Sequence, residues 1–134
     1  AVLATVPAID LYQDNYTHIG ELNTVVTSTH FGIDQPCTGP ASFQVDGQNV
    51  KGLAACGLDL GKALTSIQFN FEGTHENDQI SGTLTYKILN VGEFSATWTG
   101  LIQGGALTAS IDFSEVIANG LIHFFGEAQA QITE

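Results

Sequence analysis

Arginine and methionine are absent from this chain of 134 residues, and lysine occurs only at Lys51, Lys62 and Lys87. Against those three cations stand 14 carboxylates, for a formal net charge of -11 at pH 7. Phosphate recognition relies on clustered cations that release counterions, so no nucleic-acid partner is expected, and acidic membranes are disfavoured for the same reason. With no guanidinium fork, bidentate capture of a phosphate or carboxylate is also out of reach. These absences leave a neutral, apolar, sugar-like or cationic partner, or none.

Long hydrophobic runs are missing too. The apolar stretch 1–9 is broken by Thr5 and Pro7 and is far shorter than the roughly 20 residues of a membrane-spanning helix, so no membrane insertion is expected. The opening Ala1-Val2-Leu3-Ala4, without an initiator methionine, suggests a trimmed chain, either the mature form of an exported protein or a chain processed in some other way. The four histidines (His18, His30, His75, His123) are scattered, with no His-x-His, no His-Glu-x-x-His and no cysteine pair at metal spacing. Neither a metal nor a cofactor is expected. Gly-x-Ser-x-Gly, Ser-x-x-Lys and a phosphate-cradling glycine loop are all lacking, which removes the commonest nucleophile signatures. Asp10, Asp14 and Glu21 do not have the spacing of a calcium loop.

Cysteine is sparse, and its two occurrences are informative. Cys37 lies in Gln-Pro-Cys-Thr-Gly-Pro and Cys56 in Ala-Ala-Cys-Gly, contexts suited to the two sides of a looped-out hairpin. A Cys37–Cys56 disulfide is expected, closing a loop of about 20 residues and contributing roughly 3 kcal/mol in the chain-entropy model. The alternative is a pair of buried free thiols. With the disulfide, the expected location is extracellular; Asn15-Tyr16-Thr17 is a glycosylation sequon that fits this in a eukaryotic source.

The positive signal is period-two alternation. From about residue 64 onward, Ile67, Phe69 and Phe71 alternate with Ser66, Gln68, Asn70 and Glu72. Ile80, Leu84, Tyr86 and Ile88 follow after the polar turn 73–78, then Phe94, Ala96 and Trp98, then Leu107, Ala109, Ile111 and Phe113, and last Ile122, Phe124, Ala128, Ala130 and Ile132. Each run has one apolar face. Upstream, residues 22–31 are rich in Thr and Val, and the runs 42–45 and 49–53 flank an Asp46-Gly47 turn, the signature of a tight hairpin inside the disulfide loop. Ser114-Glu115 followed by Asn119-Gly120 reads as an N-cap and a stop, predicting one short helix near 114–119.

The expected fold is therefore all-β: one domain, residues 1–134, forming an antiparallel β-barrel of about eight to nine short strands, with a sandwich as the alternative. Closure is favoured because each strand offers a single apolar face and the helix-poor chain has no second layer to cover an open sheet. Echoes such as Gly61 to Thr65 against Gly104 to Thr108 are the similarities that strung-together hairpins produce. The short alternating strands with Gly-x-Leu-Thr turns, as in Gly105 to Thr108, resemble several unrelated barrel families, calycins and allene-oxide-cyclase-like barrels among them, and carry no motif specific to either.

Trp98, Tyr86 and Phe69 are the candidate ligand contacts, because they share apolar faces with small residues such as Ala96, Gly100, Ala109, Ala128 and Ala130, a mixture that can leave a cavity. The alternative is that the small residues make room for the rings. His123 joins the candidates because its face also carries Glu127, with Asp112 on the preceding strand. The expected function is a secreted, non-enzymatic barrel binding a small neutral ligand in its interior or at one mouth. Two other functions fit the residues: a self-assembling or adhesive surface subunit, a homo-oligomer built by strand addition with residues 1–9 as donor, and a small isomerase or cyclase using a His, Tyr or carboxylate acid–base pair.

Overall fold

A computed structural model of the chain describes residues 17–59, 64–89, 91–117 and 119–132. The segment 1–9 proposed as a donor strand, the stretch 10–15 and the sequon asparagine lie outside the described residues. Eight strands follow one another: β1 (His18–Ser28), β2 (Ile33–Asp46), β3 (Asn49–Asp59), β4 (Leu64–Glu76), β5 (Gln79–Ile88), β6 (Gly92–Gln103), β7 (Ala106–Ile117) and β8 (Gly120–Ile132). Each pairs antiparallel with the next, and β8 returns to pair with β1, so the sheet is a closed eight-stranded barrel.

Alternation produces this closure. On β4 the buried residues are Ile67, Phe69 and Phe71; on β5 they are Ile80, Leu84, Tyr86 and Ile88; on β8 they are Ile122, Phe124, Ala128 and Ala130. The intervening Ser, Thr, Gln and Glu side chains face outward, so every strand has one side to bury and the sheet hides all of them by wrapping.

The two ends of the barrel differ. At one end the connections β2–β3, β4–β5 and β6–β7 are two-residue turns, Gly47-Gln48, Asn77-Asp78 and Gly104-Gly105. Gly104 and Gly105 have φ of 57° and 85°, the double positive pair that a hairpin following the strand twist requires. At the other end the connections 29–32, 60–63 and 89–91 are longer, and only 118–119, between β7 and β8, is again two residues. We refer to these as the tight end and the loop end.

No helix is present among the described residues, and the short helix predicted near 114–119 is replaced by strand. β7 continues to Ile117, with Ser114, Glu115, Val116 and Ile117 registered against His123, Ile122, Leu121 and Gly120. β-branched Val116 and Ile117 favour this ladder. Asn119, at φ 67°, is a hairpin turn residue rather than a helix stop, since Asn-Gly serves both purposes and the pairing partner decides between them. The polar stretch 73–78 is shorter as a turn than predicted, because β4 runs to Glu76 and pairs with Gln79.

Cys37 and Cys56 form the disulfide, with Cα atoms 5.2 Å apart. The β2–β3 register runs only from Ala41–Ala54 to Asp46–Asn49, and the disulfide joins the strands beyond that ladder. Between the tight end and the middle of the barrel the interior is a column of rings. Trp98 meets Phe71 at 5.1 Å, Phe71 meets Phe69 at 6.3 Å, and Phe69 meets Tyr86 at 6.1 Å. Ala41, Ala54, Ala109, Ala128 and Ala130 are buried alongside. Small residues here accommodate large ones, as interdigitation in a narrow barrel requires.

Candidate binding site at the loop end

The ring column ends before the barrel does. At the loop end an open cavity of about 940 Å³ is walled mainly by aliphatic and aromatic side chains, including Val26, Ile33, Leu58, Ile67, Ile88, Ile117 and Ile122, with Phe94 and Phe124 among them. Below this level Phe43, Phe71 and Trp98 pack across the interior; above it the inward positions are mostly Ile, Leu and Val, with Phe94 and Phe124 also on the wall. Around the opening Phe31, Leu89, Val91, Val116 and Leu121 are exposed. The mouth thus has an apolar lip as well as an apolar wall.

One polar pair lies next to that wall. Tyr86 is 1% exposed and held by Phe94, Phe113 and Phe124 at 5.4, 4.8 and 5.3 Å. Its hydroxyl donates to Glu115 Oε1 at 3.0 Å. Glu115 shares the inward parity of Phe113 and Ile117 and is registered opposite Ile122, which puts it beside the cavity-lining Ile117 and Ile122. Burial, and then the Glu115 carboxylate through its hydrogen bond and its charge, push the phenol well above its ordinary value of 10.0.

The wall also has a seam. β6 pairs with β7 only from Thr99–Ser110 to Gln103–Ala106, whereas β5–β6 and β7–β8 are paired along nearly their whole lengths. Toward the loop end β6 and β7 therefore part, with Phe94 on one strand and Glu115 on the other. Comparisons with family models, curated proteins and solved structures returned no match. Function must therefore be argued from the site itself.

The candidate residues named from sequence separate in space. Trp98 lies toward the tight end against Phe43 and Phe71, its indole N–H donating to the backbone carbonyls of Glu72 and Thr83 at 3.2 and 3.1 Å. Phe69 is in the middle of the column. Tyr86 alone reaches the level of the cavity floor, through its contacts with Phe94 and Phe124. His123 points outward, its Nε2 2.7 Å from Asp112 Oδ1 in a solvent-exposed pair, an arrangement worth little in stability. His75 is tied into the tight end, with ring nitrogens 2.7 Å from the Gly47 carbonyl and 3.1 Å from that of Asn77.

Glu115 is the site residue that sequence reasoning missed. Its signal was present: the alternation Ile111, Phe113, Glu115, Ile117 carries a lone acid on an apolar face. The Ser114 N-cap pattern concealed it by suggesting a helix. Among the described residues no cluster of His, Cys, Asp or Glu could hold a metal ion.

Proposed function

We propose that this chain is a binding barrel that takes a small, largely apolar ligand at its loop-end mouth, and that it works outside the cell. The observation that carries the reading is the open cavity of about 940 Å³, a volume in the range of small-molecule sites. Its apolar wall offers the ligand its main gain, burial of hydrocarbon surface at roughly 25 cal/mol per Å². The ring column below it gives a rigid floor, so the mouth is kept open without cost at the moment of binding.

The extracellular part of the proposal is supported by the disulfide, since such bonds persist in oxidising compartments. No helix among the described residues is long and apolar enough to cross a membrane. Tyr86 enters this reading as a fixed donor, its hydroxyl committed to Glu115 Oε1.

The test is titration with an uncharged fluorescent probe, N-phenyl-1-naphthylamine. Saturable enhancement at one probe per chain is expected, with affinity reduced about tenfold or more by Ile117→Asp, which places a charge in the wall. Leu101→Asp, on the outer face near the tight end, is the control that leaves binding intact. No saturable enhancement, or equal effects of the two substitutions, overturns the reading.

A further inference from the structure

Resting on that reading, we infer that the mouth selects amphiphiles whose polar end donates hydrogen bonds, long-chain amines first and long-chain alcohols second, through Glu115. Among the described residues Tyr86 is the one hydrogen-bond partner of Glu115, and it occupies Oε1. Oε2 remains available as an acceptor. The carboxylate is inward and half-buried, between Phe113 and Ile117 and opposite Ile122, so a ligand with its tail against the aliphatic wall brings its polar end to this oxygen.

The charge on that end follows from electrostatics in a poorly solvated site. An ammonium head donates to Oε2 and neutralises the carboxylate; a hydroxyl head donates without neutralising it; a carboxylate head can only repel it. The polar side chains that line the cavity itself, Gln35 and Thr65, are uncharged, so Glu115, next to the lining residues Val116 and Ile117, is the nearest inward charge among the described residues. Among the described residues the lysines are Lys51 and Lys87, both exposed on β3 and β5, so neither offers an inward cation to receive an anionic head. Tyr86 acts as a positioning residue: its ring is fixed by four neighbouring rings and its hydroxyl holds Glu115 in place.

The experiment displaces N-phenyl-1-naphthylamine from the full chain at neutral pH with dodecylamine, dodecanol and dodecanoate, each below its micelle-forming concentration. The tail is constant, so only the head varies. Dodecylamine is expected to displace at a concentration at least about tenfold lower than dodecanoate, with dodecanol between them. In Glu115→Gln the gap between amine and dodecanoate is expected to shrink to about threefold or less, read against that variant's own probe affinity. Equal displacement by the three heads, or tightest binding of dodecanoate, overturns the inference while leaving the cavity reading intact. A gap that survives in Glu115→Gln overturns the role of Glu115. If that variant does not fold, the head-group series on the wild-type chain decides alone. Failure of the probe itself to bind sinks the cavity reading, and this inference with it.

Discussion

Tyr86 and Glu115 are bonded across two strand positions: the hydroxyl leaves β5, passes behind β6 and reaches the carboxylate on β7 at 3.0 Å. The bond therefore bridges the stretch where β6 and β7 are not paired with each other. Tyr86→Phe removes the donor and leaves the carboxylate without a partner among the described residues. A loss of about 1 kcal/mol is expected by denaturant unfolding, together with faster amide exchange along 92–97.

The same pair makes stability fall in alkali. The Tyr86 phenol is raised above 10.0 in the folded chain, so above that pH the unfolded chain releases a proton that the folded chain keeps. The unfolded state then binds fewer protons, and stability declines as pH rises from 10 upward. Phenolate absorbance is expected to show a component assigned to Tyr86, by its loss in Tyr86→Phe, that titrates above pH 10 and together with unfolding. A Tyr86 that ionises near its ordinary value contradicts the assignment.

His18 sets the opposite limb. It is 5% exposed, its Nδ1 lies 2.8 Å from Thr17 Oγ1, and burial lowers its pKa from 6.5. Below pH 6.5 the unfolded chain takes up a proton more readily than the folded one, so stability contributed by neutral His18 is complete above that pH and lost as pH falls through the lowered value. The melting temperature is expected to drop on acidification below pH 6.5, and His18→Gln is expected to flatten that part of the profile.

Most of the architecture was legible because β4 to β8 alternate strictly, and a period of two admits one partition into inner and outer faces. Trp98, Phe69 and Tyr86 were correctly read as inward for that reason. What the pattern could not convey is height along the barrel axis. Whether Trp98 meets a ligand or Phe71 depends on register, and register places it toward the tight end through its pairing with Gly82. The 114–119 stretch failed because Ser114 and Asn119-Gly120 are signals shared by helix ends and hairpins. The pairing with 120–123 that settles the matter is invisible locally.

Reduction tests the β2–β3 hairpin. The disulfide closes a separation of 19 residues, and its removal by reductant or by Cys37→Ser with Cys56→Ser is expected to cost about 3 kcal/mol in chain entropy. Denaturant midpoints with and without reductant measure this directly; coincident midpoints would show that the ladder alone holds the hairpin.

Gly126 tests close approach between strands. It has φ +153°, and a Cβ there would overlap the Asn23 carbonyl oxygen on β1. Gly126→Ala is expected to destabilise by more than about 2 kcal/mol, because backbone cannot yield as a side chain does. Gly47, at φ +64° with open space around it, is the comparison, with a cost of about 1 kcal/mol.

The most direct measurement is a methyl-resolved NMR titration with dodecanol. Shifts are expected in the methyls of Val26, Ile33, Leu58, Ile88, Ile117 and Ile122 at the loop end, saturating at one ligand per chain, while Ile80, Ile102 and Leu107 toward the tight end stay unchanged. Shifts confined to the tight end, or none at all, would contradict a binding mouth at the loop end.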